Sequence, residues 1–496
     1  MSKAPRLNTE DRQFFSLLAE IIFSNPFSPE RNKVEALLGR TIASYFHPDE
    51  HQLVMVIPAL ENRLAALTER GITRVNDVAE QDRPLLQYAF LYLIYHSFTD
   101  HFDNLIHAQM ELGKEPAKVS FFNELAVELQ QRGFTEDEVL RYMELFYQFR
   151  RAYFFIARAL VGDSASMRQL RHALWNNVFT CDVRLYGEHL WDRMEDFSTL
   201  LLGETGTGKG TAAVAIGRTG LIPYDIRKNC FKSSFMENFI AINLSEFPES
   251  LIESELFGHR KGSFTGAIDN HQGLFERCSI HGSLFLDEIG DVSIPVQIKL
   301  LNVLQNRVFN PVGSHETRRF EGRVIAATNR PLGELIAQGR FREDFYYRLS
   351  SDIIEVPPLR VRLQESPEEL KQLVQLLVQR MTGTHDEAFV EHINGILERN
   401  VPAEHHWPGN VRELEQTVRR IIVNGSHPVL DRHPVRVNTW LKKLQLGQLS
   451  ATDLLSGYCY RLYQELGTYE NVAQKAGLDR RTAKKYVEGG RALFTI

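Results

Sequence analysis

The distribution of hydrophobic residues along the 496-residue chain predicts helices first and then alternating strands and helices. Residues 1–158 are predicted to be helical, with a capping box at Thr135 and Glu138 that marks one helix start. Within 159–357, short apolar runs alternate with helical stretches, which predicts a parallel sheet with helices on both faces. These runs are 199–202, 239–242, 284–286 and 324–327.

The rest of the chain is predicted to be helical with one interruption. Residues 358–425 have the pattern of a small helical lid, 426–450 that of a linker, and 451–496 that of a last helical unit. The fold class is therefore multidomain, with an all-α N-terminal domain, an α/β core with a helical lid, and an all-α C-terminal domain.

Composition narrows the function classes. A net charge of −6 argues against a chain that coats nucleic acid along its length, so such contact needs a local basic face. The 4 cysteines form no CxxC pair, so neither a zinc cluster nor a disulfide framework is indicated. The N-terminus is polar, and the richest apolar stretch, 88–95, is far shorter than a membrane span. We expect a soluble, cytoplasmic protein without a membrane partner.

A glycine-rich motif follows the strand predicted at 199–202 and opens a helix. Its members are Gly203, Glu204, Thr205, Gly206, Thr207, Gly208 and Lys209. Backbone N–H groups in such a loop cradle phosphates while the lysine reaches the outer two, so the motif predicts ATP binding. The next position usually holds a Ser or Thr that ligates Mg²⁺ but is Gly210 here, which leaves Thr211 or a water as the alternatives.

Two adjacent carboxylates end the apolar run at 284–286. This arrangement predicts that Asp287 holds Mg²⁺ and that Glu288 orients the attacking water. The alternative for an isolated Asp-Glu pair is a solvated strand end. Together with the phosphate loop, the pair predicts ATP hydrolysis.

Between these motifs lies a segment that an ATPase core does not itself need. It consists of Gly262, Ser263, Phe264, Thr265, Gly266 and Ala267, an aromatic and a hydroxyl framed by glycines. Because an apolar tip on a flexible loop gains nothing in water, we expect this loop to contact another molecule. The alternative is a hairpin turn whose Phe264 folds back into the core.

From about 162 to 425 the chain resembles the AAA+ central domain of bacterial enhancer-binding proteins, the activators of sigma-54 RNA polymerase. The segment 253–259 leading into 262–267 is similar to that family's GAFTGA loop, and only Ser263 departs from it. The resemblance implies that Phe264 and Thr265 form the tip that grips sigma-54. It also implies that Asn243 switches Glu288 between idle and active states, although an asparagine at a strand end is equally a satisfied turn residue.

Further matches follow in the family's order. Thr328 and Asn329 resemble the first sensor, near the terminal phosphate, and Arg412 resembles the second sensor, facing the nucleotide from the lid. Arg342 and Arg348 resemble arginine fingers that enter a neighbouring subunit's site, which implies a homo-oligomeric ring, hexameric by the same resemblance. Taken singly, each arginine is more typical of a surface residue or an ion-pair partner.

Two stretches depart from the family. The spacing between Gly162 and Gly203 is longer than usual, with extra residues around 181–194, and the region 221–236 is also expanded. Neither stretch includes a named site residue. Both are expected to alter subunit contacts or regulation.

The C-terminal unit has the pattern of a helix-turn-helix. Ala473 lies where two helices pack closely, Gly477 where the turn requires a positive φ, and Ala483 and Tyr486 face inward. The second helix then presents Arg480, Arg481, Thr482, Lys484 and Lys485. The unit resembles a Fis-type domain, which implies binding to double-stranded DNA. The alternative is a basic solvated helix hairpin.

Together these observations predict an ATPase that binds DNA upstream of a promoter, assembles a ring and remodels sigma-54 RNA polymerase holoenzyme. Residues 1–158 are expected to sense a signal and to restrain the ring. Two alternatives remain: a DNA-binding regulator whose AAA+ fold only binds nucleotide, and an AAA+ remodeller of a different protein client.

Overall fold

A computed structural model describes residues 5–29, 31, 52–191, 193–264, 266–402, 405–425, 447 and 449–494. The chain divides into two compact units: Met1–Ile396 with Glu404–Gly425, and Leu397–Ala403 with Ser426–Ile496. Across the described ranges, no helix combines the length and the apolar character that spanning a bilayer requires.

The described residues up to 190 are helical, as predicted for residues 1–158. Its elements are α1 (Thr9–Phe23), α2 (Gln52–Glu69), α3 (Arg83–Ser97), α4 (Thr99–Leu112), α5 (Phe122–Gln131), α6 (Glu136–Tyr153) with a π-helical turn (Phe154–Arg158), α7 (Ala165–Phe179) and α8 (Val183–Leu185) with a second π-helical turn (Tyr186–Leu190). The capping box is present: the Thr135 N–H donates to Glu138 Oε2 over 2.8 Å, and the Glu138 N–H donates to Thr135 Oγ1 over 3.4 Å. This exchange satisfies N–H groups that the first turn of α6 leaves unpaired.

Strands and helices then alternate. In chain order the elements are β1 (Thr199–Leu202), α9 (Lys209–Gly217), β2 (Tyr224–Asp225), β3 (Cys230–Phe231), β4 (Phe239–Asn243), α10 (Glu249–Phe257), α11 (Leu274–Arg277), β5 (Ser283–Asp287), α12 (Ile294–Asn306), β6 (Val308–Phe309), β7 (Arg318–Arg319), β8 (Arg323–Thr328), α13 (Leu332–Ala337), α14 (Glu343–Leu349) and β9 (Asp352–Glu355). All four predicted strands are present, extended by at most two residues.

Five strands form one parallel sheet in the order β4-β5-β8-β1-β9. Leu202 pairs with Thr328, and Asn243 pairs with Asp287. Because parallel strands end at the same edge, the loops after β1, β4, β5 and β8 meet there. The two short hairpins, β2–β3 and β6–β7, lie outside this sheet.

Alternate residues of the strands enter two different cores. Leu200, Leu284 and Ala326 belong to the core shared with α10 to α14. Leu201 and Ile325 belong to the core that continues, without a break, into the N-terminal helices. The period of two in a strand produces this division, and it confirms helices on both faces. The boundary at 158/159 remains a prediction, and hydrophobic packing is continuous across it.

Both expanded stretches contact the N-terminal helices. The β2–β3 hairpin pairs with the segment before α5, since the Val119 N–H donates to Asn229 O over 3.0 Å. In the other stretch, the Arg184 guanidinium lies 4.9 Å from the centre of the Phe23 ring. The extra residues therefore hold the N-terminal helices against the α/β core.

The remaining helices match the predicted lid and C-terminal unit. They are α15 (Leu359–Glu365), α16 (Glu369–Thr382), α17 (Glu387–Asn400), α18 (Asn410–Asn424), α19 (Ala451–Leu466), α20 (Tyr469–Ala476) and α21 (Arg480–Phe494). The last three pack around a small core that includes Cys459, Val472, Ala483 and Val487. Most of the linker predicted at 426–450 lies outside the described residues.

Candidate functional site

The phosphate loop turns from β1 into α9 at the edge where the strands end. Gly206 and Gly208 have φ of 80° and 103°, a region that favours glycine. The Lys209 ammonium folds back over the loop and donates to the carbonyls of Gly203, over 2.9 Å, and Glu204, over 3.1 Å. The loop thus has the cradle shape that the sequence predicts.

Three charged residues lie close enough to Lys209 to shift the pKa of its ammonium group. Burial lowers the pKa of Lys209; the carboxylates of Glu288 and Asp287 act in the opposite direction, and Arg412 acts in the same direction as burial. The structure therefore brings the phosphate loop, the acidic pair and the second sensor to one place. The cationic side chains suit a polyphosphate, and the two carboxylates suit a divalent cation.

Glu288 has an unusual conformation. Its φ and ψ are 55° and 44°, the left-handed region that non-glycine residues rarely enter. Its N–H donates to Asp287 Oδ1 over 3.0 Å, while its own Oε2 is buried without a hydrogen-bond partner among the described residues. A buried oxygen without a partner is costly unless something else binds it. A group bound at Oε2 would relieve this cost, and the role of Glu288 in orienting the attacking water remains a prediction.

Asn329 is joined directly to the phosphate loop. Its Nδ2 donates to Thr205 Oγ1 over 2.7 Å. The neighbouring Thr328 is buried at the end of β8, and its Oγ1 accepts from the Arg330 N–H over 3.0 Å. Asn329 is therefore hydrogen-bonded to the phosphate loop, whereas Thr328 is hydrogen-bonded to the backbone that follows β8, and their roles as the first sensor remain predictions.

Sequence reasoning missed two residues that join the lid to the phosphate loop. Asn410 Nδ2 donates to Thr205 O over 3.0 Å, and its Oδ1 accepts from the Leu359 N–H over 2.8 Å. The guanidinium of Arg360 grips Glu204 through two bonds of 2.6 and 2.7 Å. Asn410 has a φ of 52°, and asparagine's tolerance of that region was the available signal. No sequence signal marked Arg360.

Three predicted site residues have local partners instead. Asn243 Oδ1 accepts from the Ser245 N–H over 3.1 Å, which is the turn arrangement that the sequence left as an alternative. Arg342 pairs with Asp344 at 2.7 Å, and Arg348 Nε donates to Leu304 O over 3.1 Å. The roles of these residues as a switch and as fingers remain predictions.

The contact loop, residues 262–267, is a tight turn closed by backbone bonds. The Gly262 N–H donates to Ala267 O over 2.9 Å, and the Ala267 N–H donates to Phe264 O over 3.0 Å. Phe264 is 37% exposed, with its ring centre 4.9 Å from that of His259. Phe264 is therefore not buried in the core, but its ring packs against His259 at the surface. Thr265 lies outside the described residues.

The base of the contact loop is fixed to two other segments. His259 forms β-bridges with His271 on one side and with Val312, in the β6–β7 hairpin, on the other. Its Nδ1 lies 2.7 Å from Ser254 Oγ of α10. These contacts of His259 with His271, Val312 and Ser254, which we call the His259 platform, fix the base of the contact loop while its tip remains at the surface.

The C-terminal unit presents a basic helix. Arg481, Lys484 and Lys485 are exposed on α21, and Asp479 Oδ1 accepts from the N–H groups of Arg481 and Thr482, at 3.0 Å each. Arg480 lies 2.9 Å from Glu470 on α20. Ala473 and Ala483 are buried and Gly477 has a φ of 67°, as the sequence predicts.

Family models match two parts of this arrangement. Residues 190–355, which hold the phosphate loop, the acidic pair and the contact loop, match the sigma-54 interaction domain. This segment of the chain therefore belongs to the sigma-54 interaction domain family. Residues 365–441 match the AAA+ ATPase lid domain, so the core is an AAA+ domain with its lid.

Several curated bacterial regulators are similar to the chain. It is 40% identical to the regulatory protein AtoC of Escherichia coli over 47% of this chain and 46% of AtoC. It is 38% identical to the DNA-binding transcriptional regulator NtrC of Rhizobium meliloti over 55% of this chain and 49% of NtrC. The chain thus spans about half the length of the curated relatives it matches. Among solved structures, NtrX from Brucella abortus in complex with ATP is 23% identical, over 74% of this chain and 80% of that chain, with a TM-score of 0.40.

Proposed function

We propose that the protein is a sigma-54-dependent transcriptional regulator that binds upstream DNA and uses ATP hydrolysis to remodel sigma-54 RNA polymerase. One observation carries this proposal: the contact loop is inserted in the connection from β4 to β5. Those strands end at Asn243 and Asp287, which are paired neighbours at the nucleotide edge. Each strand end is therefore joined to Phe264 by a continuous segment of about 20 residues, through which movement at that edge can reach the contact loop.

The residues at the edge fit the hydrolysis step. The N–H groups of the phosphate loop and Lys209 bind the phosphates, and Asn329 and Arg412 approach from the two sides. Asp287 would hold Mg²⁺, which when bound offsets negative charge on the phosphates. The buried Oε2 of Glu288 accepts a hydrogen bond from the attacking water and orients it.

A ring completes the site in this proposal. Arg348 is exposed on α14 and Arg342 is partly exposed just before it, so a neighbouring subunit can reach both. An arginine supplied by a neighbour raises hydrolysis by roughly a thousand- to a hundred-thousand-fold in other nucleotide hydrolases. We therefore expect turnover to depend on assembly into a homo-oligomer, a hexamer by family resemblance.

The exposed basic residues of α21 would place the ring upstream of its promoter. Phosphate attraction supplies much of the affinity of such a helix, and arginine contacts with guanine supply specificity. The cytoplasmic location expected from the sequence belongs to the same proposal, as do the holoenzyme and double-stranded DNA as partners.

The deciding experiment is promoter opening with purified protein, sigma-54 holoenzyme and a supercoiled template carrying the upstream site. We expect open complexes with ATP and none with a non-hydrolysable analogue. ATP turnover with opening only by the ordinary sigma factor would indicate a different client. Absence of turnover, even at concentrations that form the ring, would leave a nucleotide-binding DNA regulator.

A further inference from the structure

The N-terminal helix α6 contacts the far end of the phosphate-loop helix. Gln148 and Arg151 lie three residues apart on α6, hence on one face, and their side chains are only 1% and 0% exposed. Arg151 donates from Nη1 to Arg218 O over 2.7 Å and from Nη2 to Gly220 O over 2.8 Å. Gln148 Nε2 donates to Thr219 O over 2.9 Å. Three consecutive carbonyls are thus held by one helix.

Those carbonyls follow directly after α9, whose first residue is Lys209. The carbonyl end of a helix carries partial negative charge, so a guanidinium there is favourably placed. Arg151 forms no ion pair with a carboxylate within the described part of the chain, and the Tyr147 ring lies 4.5 Å away on its other side. Burial lowers the pKa of Arg151 to about 10, and Tyr147 and Tyr186 act in the opposite direction.

The phosphate-loop helix α9, which connects Lys209 to residues 218–220, is short and tightly packed. With 9 residues, α9 is about 13 Å long at the usual rise per residue. A Cβ at Gly217 would overlap the ring of Phe239, so the end of α9 has no room to move sideways against β4. A shift imposed at residues 218–220 therefore passes along the helix to Lys209 and the phosphate cradle.

The expanded stretches reinforce this contact. The Tyr186 hydroxyl, in the stretch at 181–194, lies 2.7 Å from Gln148 Nε2, and the Arg141 guanidinium donates to Gly187 O. On the other side, the Tyr224 N–H donates to Glu144 Oε1 over 2.8 Å. Residues at four positions along α6 are thus tied to the segments that frame α9.

We infer that Gln148 and Arg151 are positioning residues for the phosphate-loop helix, through which the N-terminal helices set the affinity of the site for nucleotide. This inference rests on the proposed nucleotide site but not on sigma-54. Its direct readout is nucleotide binding, which is measured without hydrolysis. By linkage, whatever α6 does to nucleotide affinity, nucleotide must do to the stability of the α6 contact.

The test uses the full chain and a fluorescent ADP analogue. Arg151→Met removes both hydrogen bonds to the carbonyls, and Arg151→Lys keeps the charge but loses the paired geometry of the guanidinium. Gln148→Leu removes the one hydrogen bond to residues 218–220, together with the contact to the Tyr186 hydroxyl. We expect the Kd to rise about tenfold for Arg151→Met and about threefold for Gln148→Leu, with Arg151→Lys between them. In ATP hydrolysis the KM should rise in parallel, with kcat within about twofold, because ground-state binding is what changes.

The matched control is Arg150→Met, one residue away on α6. Arg150 pairs with Asp103 at 2.6 Å, inside the N-terminal helices, and forms no described hydrogen bond with residues 218–220. This variant should lose thermal stability while keeping the ADP affinity of the unmodified protein. Equal Kd values for Arg151→Met and Arg150→Met would overturn the inference and leave Arg151 a structural residue. If Arg151→Met does not fold, unchanged Kd values for Arg151→Lys and Gln148→Leu overturn it equally.

Hydrogen exchange provides the reciprocal measurement. ADP should slow amide exchange in 145–153 of the unmodified chain, and this protection should be lost in Arg151→Lys. No ADP-dependent protection in the unmodified chain, despite ADP binding, would contradict the coupling. A chain that binds ADP with protection at α6 but never hydrolyses ATP would refute the proposed ATPase and leave this inference standing.

Discussion

The phosphate loop and the contact loop both depend on glycines with positive φ, but for different physical reasons. A Cβ at Gly206 would overlap the carbonyl oxygen of Gly409 in the lid, whereas Cβ atoms at Gly262 and Gly266 would have no atom within 4 Å. Gly206, whose φ is 80°, is therefore required both by backbone conformation and by close packing. Backbone conformation alone dictates the other two, whose φ values are 80° and 106°.

This difference in packing is consistent with the functions proposed for the two loops, nucleotide hydrolysis and contact with another protein. A site that stabilises a transition state requires groups held in place before the reaction, and the lid contacts of Gly206 supply that constraint. If the contact loop grips another protein, as we propose, its contacts must change during the cycle. Its link to the rest of the fold is at the His259 platform, whereas Cβ atoms at Gly262 and Gly266 would touch nothing. Variants that separate these two kinds of constraint test the comparison.

The largest effect is expected at the nucleotide edge itself. Glu288→Gln removes the carboxylate that we propose orients the attacking water, so ATP turnover should fall by about a hundred- to ten-thousand-fold, the range for loss of a general base. Nucleotide affinity should stay within about threefold, because the phosphate loop is unchanged. Initial-rate ATPase assays and equilibrium binding measure the two quantities, with the exposed Glu334→Gln as the charge-matched control. Turnover above a tenth of normal in Glu288→Gln would assign the base to another group.

Replacing Gly206 in the phosphate loop and Gly262 in the contact loop with alanine compares the two loops directly. Gly206→Ala combines backbone strain with overpacking against the lid, about 2 to 4 kcal/mol together, and nucleotide affinity should fall about a hundredfold. Gly262→Ala adds only the strain, about 1 kcal/mol, in a loop remote from the nucleotide. Its ATP affinity should therefore be normal. Calorimetric titration and thermal unfolding of both variants measure this, and equal losses of affinity would abolish the distinction.

The main strands and the nucleotide motifs were predictable from sequence because their signals are local. The run 199–202 coincides with β1, and Gly203 to Lys209 fold as a phosphate loop because glycine spacing alone sets that turn. The edge strand β9 was not predicted, since Asp352 and Glu355 at its ends interrupt the apolar pattern. The ion pair between Arg360 and Glu204 was not predicted either, because it depends on the position of the lid.

The contact loop was also predictable only in part from the sequence. Its glycines and Phe264 were read from the sequence as a loop with a partner, and both glycines do have positive φ. Phe264 packs on His259, and the β-bridge between His259 and Val312 joins segments about 50 residues apart in the chain. Only the folded structure brings those segments together.

The contact loop itself is tested with an aromatic and an aliphatic truncation. Phe264→Ala should reduce sigma-54 promoter opening by more than about tenfold, since aromatic anchors carry much of the energy of an interface. ATP turnover should remain within about twofold, because Phe264 lies outside the nucleotide edge. Ile268→Ala is the control: Ile268 is 74% exposed, just past the contact loop. Loss of ATPase in Phe264→Ala alone would show that Phe264 acts on the ATPase and not on a partner.

The smallest expected effect concerns the missing hydroxyl at Gly210. This residue is exposed in the first turn of α9, and a Cβ there would have no atom within 4 Å. Gly210→Thr therefore fits without strain and adds the ligand that other phosphate loops supply to Mg²⁺. The half-saturating Mg²⁺ concentration for ATP hydrolysis should fall about two- to fivefold, a gain of about 0.4 to 1 kcal/mol. Gly210→Ala supplies the Cβ without the hydroxyl, so identical Mg²⁺ curves for the two variants would show that Thr211 or a water already completes the coordination.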